Sequence, residues 1–312
     1  MIKAEVVAHT KKDNHAELIT FKVTYPRVIL AEVNTHRMFS RNTSSSRAIP
    51  VERRLESVRR DPWIPLLFGS NRPGMSSGEK LADDSVSSYW VGMVDIFLDE
   101  ASQFMKSFNV HKEVTNRIFE SFSHVTQVVT TGKAGLQNFF DQRLSKGVQP
   151  EMAALALRMW KAYKESVPSN DTLHVPFRKE VEKIIEPYKK ASSMEGDSNF
   201  RSLQEVNVFD HVDLLTFIVS TALCAKVSYD REDQTDLHIS KYVKICLDMA
   251  KNRHYSPFEH CAYFMADVSI PTINIPDSWV SFRWLVQNRI EANALKPEEE
   301  RAKEIEEWLG IQ

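Results

Sequence analysis

A dense run of polar and cationic side chains lies between Thr35 and Arg47, in the order Thr-His-Arg-Met-Phe-Ser-Arg-Asn-Thr-Ser-Ser-Ser-Arg. Guanidinium groups match the geometry of phosphate oxygens, and hydroxyl groups add short hydrogen bonds without bulk. Because the chain has nine glycines and no glycine-rich phosphate loop, side chains would have to hold an anion. The run therefore predicts an anion site, although a polar helix end followed by a turn explains the same composition.

A second unusual segment runs from His254 to His260, in the order His-Tyr-Ser-Pro-Phe-Glu-His. Its serine and proline suit the cap and first position of a helical turn, and its glutamate completes a capping box. This local role leaves the two histidines unexplained. Zinc ligation lacks a recognised spacing here, so we expect no metal. A histidine beside a helix start suits a hydrogen bond to a ring or a phosphate.

The third segment begins at Arg117 and ends at Arg143. Apolar residues near its end form one helical stripe that predicts a core-facing side: Leu136, Phe139, Phe140 and Leu144. Asn138 and Arg143 lie off this stripe. Five positions apart, they point about 140° from one another on a regular helix. They would therefore contact different groups, or different parts of one ligand.

Together the three segments resemble the flavin-dependent thymidylate synthases, whose signature is Arg-His-Arg-x-x-Ser-x-Asn-Glu-x-Ser-x-Arg. The correctly spaced matches are His36, Arg37, Ser40, Asn42, Ser45 and Arg47. The family's Ser/Thr-Pro-Phe-Glu-His flavin motif is similar to Ser256 through His260. Its later Arg…Asn-x-x-x-x-Arg segment is similar to Arg117, Asn138 and Arg143.

The chain also departs from the family pattern. Thr35 stands in place of the first Arg, Thr43 in place of the Glu, and Ala48 in place of an aromatic residue. The family has its Pro-Phe-Glu-His segment shortly before the Arg-His-Arg segment, whereas here it follows by more than two hundred residues. Residues 225–267 are similar to the family's N-terminal portion. The resemblance thus indicates a permuted or partly duplicated relative.

The resemblance implies an α+β fold, mainly helical around an antiparallel sheet, and a homotetramer with shared sites. It implies FAD as the cofactor, with NADPH and 5,10-methylenetetrahydrofolate as co-substrates. The implied reaction is one-carbon transfer to C5 of a pyrimidine deoxynucleotide monophosphate, dUMP to dTMP, without a cysteine nucleophile. Residue by residue, it assigns Arg143, Ser45 and Arg47 to catalysis, with Arg117 joining them in nucleotide binding. It assigns His36, Arg37, Asn42, Asn138 and His260 to the flavin.

Two other functions remain open at this point. Without the Arg and Glu replaced by Thr35 and Thr43, water rather than hydride could complete the reaction, which would give a pyrimidine nucleotide hydroxymethylase. The alternative from another class is a non-catalytic protein that binds nucleotide or flavin on an inherited fold.

Bulk composition fits one globular domain spanning residues 1–312, with 42% hydrophobic and 26% charged residues. The net charge of −2 argues against a protein that coats nucleic acid polymers. The three cysteines form no CxxC pair, which suits a reducing cytosol. The N-terminus lacks a secretory pattern, and the apolar stretch 212–227 is too short and polar for a membrane span. We therefore expect a soluble, cytoplasmic protein.

The elements that would position these residues fall into four regions: a motif region (1–61), a loop insertion (62–84), a helical region (85–208) and the family-like C-terminal region (209–312). Alternation predicts a strand over Glu17–Tyr25. A helix from Val28 to the Thr/Ser-rich 43–46 would place His36 and Ser40 on one face. Four arginines, Arg53, Arg54, Arg59 and Arg60, read as a solvated helix face.

Apolar spacing near 3.6 predicts further helices at Tyr89–Phe108, Pro150–Glu165, Phe177–Lys190, Val212–Ala225, His238–Asn252 and Trp279–Glu291. Residues Phe68–Asp84 form the clearest loop, and the polar segment Ser192–Phe200 is expected to be a linker. Tyr263–Ile275 has strand character.

Overall fold

A four-stranded antiparallel sheet forms the first half of the protein, in a computed structural model that describes residues 1–83, 85–189, 210–227, 238–268, 270, 272–290 and 292–310. Its strands are β1 (Lys3–Thr10), β2 (Leu18–Pro26), β3 (Ser40–Thr43) and β4 (His124–Gly132), in the spatial order β1-β2-β4-β3. β4 pairs with β2 along its whole length and with β3 on its other side. Thr130 therefore stands between Thr20 and Ser40.

One face of this sheet is apolar and covered by two helices, α5 (Lys133–Arg143) and α6 (Pro150–Glu165). Alternate residues of β2 are buried in this core, namely Ile19, Phe21, Val23 and Tyr25, which pack with Leu136, Phe139, Met152 and Leu155 of the helices. Because successive strand residues point to opposite faces, the other face of β2 carries Thr20 and Lys22. The strand expected over 17–25 is confirmed.

Four further helices belong to the first half: α1 (Leu30–Val33, after a 3-10 turn at Arg27–Ile29), α2 (Val51–Arg60), α3 (Ser85–Phe108) and α4 (Lys112–Ile118). A 3-10 turn at Phe119–Phe122 leads from α4 into β4. Val58 of α2, Leu98 of α3 and Phe119 share a separate small core. The loop between α2 and α3 is tied by one isolated bridge, from Gly69 to Lys80.

The second half is mainly helical. It comprises β5 (Leu173–His174), α7 (Arg178–Ile185, then a 3-10 turn at Glu186–Tyr188), α8 (His211–Lys226), α9 (Ile239–Lys251), a 3-10 turn (Ser256–Glu259), β6 (Ala262–Phe264), β7 (Trp279–Ser281), α10 (Phe282–Arg289) and α11 (Glu298–Leu309). Its strands form a small sheet in the order β5-β6-β7. Phe217, Tyr242, Phe258 and Phe282 are buried at its centre.

The second half packs on the face of the first sheet that α5 and α6 leave free. Leu18 of β2 joins Ala262, Ile275 and Trp279 in one buried cluster. On β4, Val128 lies against Cys224 and Val227. Thr20 of β2 and Thr130 of β4 lie on this face and are completely buried.

The α+β class is confirmed, and the helices expected at 89–108, 150–165, 212–225 and 238–252 are present with small changes at their ends. The helix expected at Phe177 runs over Arg178–Ile185. Its predicted end at Lys190, the predicted end of the last helix at Glu291, and the linker Ser192–Phe200 lie outside the described residues. None of the described helices combines the length and apolar character needed to cross a membrane.

Four local predictions are wrong. The helix starting near Val28 ends at Val33, and the chain turns into β3 because Ser40–Thr43 pair with β4. The strand after residue 261 covers Ala262–Phe264 rather than reaching Ile275, and Trp279 opens a strand before the helix starts at Phe282. Arg54 is not on a solvated face, because it is buried and its Nη1 donates to the His124 carbonyl at 3.4 Å.

Candidate functional site

His36 and Arg143 meet although 107 residues separate them. His36 lies in the turn after α1, and Arg143 is the last residue of α5. The Arg143 Nε donates a hydrogen bond to His36 Nε2 at 3.0 Å. The imidazole stands edge-on to the Phe139 ring, with ring centroids 4.8 Å apart. The aromatic core under α5 thus fixes the ring that holds the arginine.

The charge state of this pair follows from its surroundings. Burial, and then the nearby charges of Arg143 and Arg41, lower the pKa of His36 to about 4. His36 is therefore neutral near pH 7 and accepts the hydrogen bond. In the described part of the chain no carboxylate lies within ion-pair distance of Arg143. Its outer guanidinium nitrogens remain available to a ligand.

Two arginines of the segment 36–47, Arg37 and Arg41, have no carboxylate within ion-pair distance among the described residues, although the charge of Glu259 acts on Arg41 from farther away. Arg37 is exposed, and Arg41 donates from Nη1 to the Asn34 carbonyl at 2.5 Å. Burial and the adjacent Arg37 charge lower the pKa of Arg41. Since like charges held together repel each other, the cluster of Arg37, Arg41 and Arg143 favours an anionic ligand.

Strand β3 carries the segment into contact with the second half. Asn42 Nδ2 donates to the Cys224 carbonyl of α8 at 2.8 Å, and Ser256 Oγ donates to Asn42 Oδ1 at 3.3 Å. Ser40 Oγ accepts a hydrogen bond from Asn274 Nδ2 at 2.6 Å. The structure therefore joins the segments 36–47 and 256–260, which are far apart in sequence.

The turn at Ser256–Glu259 differs from the capping box expected there. Ser256 is the first residue of the 3-10 turn, and no side chain caps that turn. The Ser256 hydroxyl is used by Asn42, and Glu259 forms an ion pair with Arg283 of α10. Tertiary partners have replaced the local hydrogen bonds that the spacing indicated.

His260 is completely buried behind this turn. Its Nδ1 forms a 2.8 Å hydrogen bond with Thr130 Oγ1 of β4. Burial lowers the pKa of His260 to about 3, so the ring is neutral. Its Nε2 has no hydrogen-bond partner among the described residues. A buried polar atom in this state marks a place where a ligand group could complete the hydrogen bonding.

Arg47 and Arg117, two of the four residues predicted to bind the nucleotide, form a second group with two glutamates, whereas Arg143 pairs with His36. Arg47 Nε pairs with Glu113 at 2.9 Å, and Arg117 Nη1 lies 3.5 Å from Glu120. The Arg47 and Arg117 side chains are 60% and 57% exposed, so solvent reaches both cations. Ser45, beside Arg47, is partly buried. A bound anion would have to compete with these carboxylates.

Glu120 also contacts two other residues near this second group. It accepts a 2.5 Å hydrogen bond from Ser46 Oγ and lies 3.3 Å from Arg27 Nε. Asn116, fully buried on α4, donates from Nδ2 to the carbonyls of Ser46 and Ile49, both at 2.7 Å. These contacts fix the backbone on both sides of Arg47.

The remaining motif positions are neutral or exposed. Asn138 is exposed on α5, and its Oδ1 accepts from Gln142 Nε2 at 3.0 Å. Thr35 donates from Oγ1 to the Glu32 carbonyl at 2.6 Å. Thr43 Oγ1 accepts from Gln127 Nε2 at 2.7 Å. The two positions where the family carries Arg and Glu thus hold hydroxyls that are engaged within the chain.

An open cleft of about 650 Å³ adjoins the segment at Met38. Its walls are the first turn of α5, the loop 272–277, and residues near the start of β2, including His15 and Glu17. The Cβ of Met38 lies so close to Gly135 that a Cβ there would come within 3.0 Å of it. The glycine therefore lets the segment rest directly on α5.

Sequence reasoning missed Thr20, Thr130, His174 and Glu120. The first two stand on the non-apolar face of β2 and β4, and the alternation of β2 was the one signal of a distinct polar face. His174 lies in a stretch to which the sequence assigned no role. Two of the three partners of Glu120, Ser46 and Arg27, are distant in sequence, and only Arg117 is near it.

The comparison with known protein families gives one match, which covers the first half of the chain. A family model described as thymidylate synthase complementing protein, Thy1, matches residues 7–169, just over half of the chain. No curated protein sequence matches. Among solved structures, thymidylate synthase X from Helicobacter pylori, with FAD and dUMP, is 14% identical over 52% of this chain and 93% of that one, with a TM-score of 0.39.

Two structures of the UMP/dUMP methylase PolB from Streptomyces cacaoi are also similar. The one bound with 5-Br dUMP is 14% identical over 53% of this chain and 90% of that chain, with a TM-score of 0.43. The one bound with 5-Br UMP is 15% identical over 53% and 89%, with a TM-score of 0.41. At these identities and TM-scores the similarities carry no argument about this chain.

Proposed function

Because this chain belongs to the thymidylate synthase complementing protein family, we propose that it is an enzyme that transfers a one-carbon unit to C5 of a pyrimidine deoxynucleotide monophosphate, converting dUMP to dTMP. The observation that carries the proposal is the Arg143–His36 pair, which lies within the matched residues. It presents a cation without a carboxylate partner among the described residues, beside the two further arginines of the segment.

Arg143 would act on the pyrimidine ring. Attack through C5 moves electron density onto the ring oxygens, and a fixed guanidinium stabilises that charge. The Nε–Nε2 hydrogen bond to neutral His36 holds the group by one edge, so the outer nitrogens keep their direction. His36 is thus the residue that orients Arg143, and its own burial against Phe139 keeps it from turning.

The phosphate would be bound by the second group. Arg47 and Arg117 offer exposed guanidiniums, and the Ser45 hydroxyl adjoins them in sequence. An arginine can exchange an exposed carboxylate for a phosphate at low cost, because exposed ion pairs contribute only about 0–1 kcal/mol. We assign nucleotide binding to Ser45, Arg47, Arg117 and Arg143 on this basis.

The residues present also fit a flavin. The unpartnered Nε2 of buried His260 offers a hydrogen-bonding atom, and Arg37 and Asn138 offer exposed donors. Asn42 connects the two flavin segments through Ser256. Bound FAD would supply the hydride chemistry that no side chain can perform. We propose NADPH as the reductant, methylenetetrahydrofolate as the carbon donor, a cytoplasmic location and a homotetramer.

The decisive experiment is product analysis. The purified protein, reconstituted with FAD, is incubated with dUMP, methylenetetrahydrofolate and NADPH, and the nucleotides are separated and weighed by mass spectrometry. We expect dTMP to form only when all four compounds are present. Absence of bound flavin together with absence of any product nucleotide would overturn the proposal. Parallel incubations with dCMP test the base.

A second product is favoured by a specific observation. Thr35 and Thr43 are neutral and held by Glu32 and Gln127, so neither supplies the charge of the Arg or Glu found in the family. Without those charges, water could complete the reaction and leave a hydroxymethyl group. The same mass analysis distinguishes the two products, because hydroxymethyl-dUMP is one oxygen atom heavier than dTMP.

A further inference from the structure

A continuous chain of five buried side chains crosses the interface between the two halves and ends at His260. His260 Nδ1 lies 2.8 Å from Thr130 Oγ1, which lies 2.6 Å from Thr20 Oγ1. Thr20 Oγ1 lies 2.8 Å from His174 Nε2, and His174 Nδ1 lies 3.0 Å from Thr10 Oγ1. Every neighbouring pair is thus within hydrogen-bond distance.

The environment of the chain is almost free of water. Thr20, Thr130, His174 and His260 have no exposed surface, and Thr10 is 2% exposed. Burial, as the largest cause, lowers the pKa of both His174 and His260 to about 3, so each ring is neutral and carries one proton. Each neutral ring then has one donor and one acceptor nitrogen.

The number of protons limits the directions that the four hydrogen bonds among these five side chains can take. The five groups carry five exchangeable protons, while only four hydrogen bonds join them. One proton is therefore left without an acceptor inside the chain. If it stays on a central threonine it is a fully buried donor without a partner, which is costly. The surplus proton consequently belongs at one end, either on His260 Nε2 or on Thr10.

The two ends differ in their access to water. Thr10 borders an open cleft of about 580 Å³ between β1 and α7. His260 Nε2 is buried and has no partner among the described residues. Thr10 is therefore the end that lies beside the open cleft, whereas an N–H at His260 Nε2 would be buried without an acceptor among the described residues.

We propose that His174, through Thr20 and Thr130, holds His260 in the tautomer with its proton on Nδ1, so that Nε2 of His260 is a hydrogen-bond acceptor. All four hydrogen bonds then run in one direction, from His260 towards Thr10, and His174 also carries its proton on Nδ1. His174, Thr20 and Thr130 are positioning residues, because they act on a ligand only through His260.

This assignment selects the kind of ligand atom that His260 can bind. An acceptor nitrogen pairs with a ring N–H and not with a ring carbonyl. An isoalloxazine imide N–H has this chemistry, and this choice of ligand rests on the proposed function. The tautomer itself does not, because it follows from the chain of side chains alone.

The tautomer can be measured directly by ¹⁵N NMR of the ligand-free, full-length protein labelled at histidine. The His260 and His174 signals are assigned by their loss in His260→Gln and His174→Gln. We expect the wild-type protein to show protonated Nδ1 and unprotonated Nε2 on both rings. If the wild-type spectrum shows His260 protonated on Nε2, that result alone overturns the proposal.

Thr20→Val tests the route of the effect. It removes the hydroxyl that accepts from Thr130, so Thr130 becomes free to donate to His260 Nδ1, and the Nε2–H form of His260 should become detectable. Thr24→Val is the matched control, because the Oγ1 atoms of Thr24 and Thr126 lie 3.2 Å apart across the same two strands. Thr24 is not one of the five hydrogen-bonded side chains. An identical His260 tautomer in wild type and Thr20→Val refutes the proposal.

Flavin titration adds a second readout. Losing one neutral hydrogen bond should weaken FAD binding roughly fivefold in Thr20→Val relative to Thr24→Val. Equal FAD affinity in the two variants would refute the role in ligand binding. Failure of the wild-type protein to bind FAD contradicts the proposed function, whereas the NMR result decides the tautomer separately.

Discussion

Acid should destabilise this protein through its buried histidines, and His174 offers the sharpest test. Its folded pKa of about 3 lies far below the ordinary value of 6.5. Between these values the unfolded chain binds a proton at His174 and the folded chain does not. Stability therefore rises with pH across this window, and it is lost as pH falls below 6.5. Above 6.5 both states are neutral and the effect vanishes.

The expected magnitude follows from proton linkage. Each such histidine contributes about 1.4 kcal/mol per pH unit to the free energy of unfolding. His260, also with a pKa of about 3, adds a similar slope over this window, and His36, at about 4, does so above its own pKa. Carboxylates contribute as well, so the wild-type slope alone identifies no residue. The difference between wild type and His174→Gln isolates the one histidine.

The measurement is urea unfolding of both proteins at two pH values. Between about pH 6.0 and about pH 5.0, wild type should lose about 1 kcal/mol more than His174→Gln, because glutamine binds no proton. His254→Gln, at an exposed histidine, is the control for the chemical change from histidine to glutamine. Equal pH dependence in wild type and His174→Gln would refute the burial of a neutral His174.

Three further changes test the site. Arg143→Lys should lower turnover about 10²–10³-fold while FAD stays bound, because lysine lacks the planar fork and cannot donate from Nε to His36; steady-state kinetics with flavin absorbance measures both. Glu113→Gln should tighten dUMP binding up to about fivefold by releasing Arg47 from its ion pair, measured by calorimetry. Gly135→Ala should lower the unfolding midpoint, because its Cβ would lie 2.2 Å from Thr131 Oγ1 and 3.0 Å from Met38 Cβ.

Each of these changes has a matched control. Arg158→Lys alters an exposed arginine of α6 and should leave turnover intact. Asp99→Asn breaks a comparable exposed pair, with Arg59, and should not change dUMP affinity. Gly92→Ala adds a Cβ that meets nothing within 4 Å and should not destabilise α3. Wild-type turnover in Arg143→Lys, unchanged affinity in Glu113→Gln, or an unchanged midpoint in Gly135→Ala would contradict the corresponding contact.

Much of the architecture could be read from local patterns. Helices such as α6 and α9 have apolar residues at helical spacing over more than ten positions. A pattern of this length predicts a helix without any knowledge of the tertiary contacts. The strand β2 could be predicted equally well because its apolar residues alternate. The proximity of the segments 36–47, 117–143 and 256–260 was expected from the family resemblance, since no local pattern relates them.

The strand β3 could not be read in this way. Ser40–Thr43 contain no apolar residue, so neither alternation nor helical spacing was visible. Their strand conformation comes from β4, which follows more than eighty residues later in the chain and supplies the ladder of hydrogen bonds. Tertiary pairing thus decided a conformation that local preference left open.

The same limit applies to side-chain partners. Arg47 was expected on a nucleotide, and nothing near it in the sequence indicated that Glu113, 66 positions later, would pair with it. The pairing of Arg117 with Glu120 has the i,i+3 spacing of a helical ion pair and could have been read locally. Arg54 sits among charged residues in a pattern typical of a solvated helix face, yet it is buried. Only the packing of α2 on the rest of the chain shows which arginine of the four is enclosed.

The hydrogen bond from Ser256 to Asn42 spans 214 positions, and that from Asn274 to Ser40 spans 234. A ribosome adding about 5–20 residues per second needs roughly 10–40 s to cover that interval. During this time the emerging chain already holds every arginine of the first segment but not the groups that enclose β3. Only a chain translated past residue 274 can form both hydrogen bonds that hold β3 against the second half.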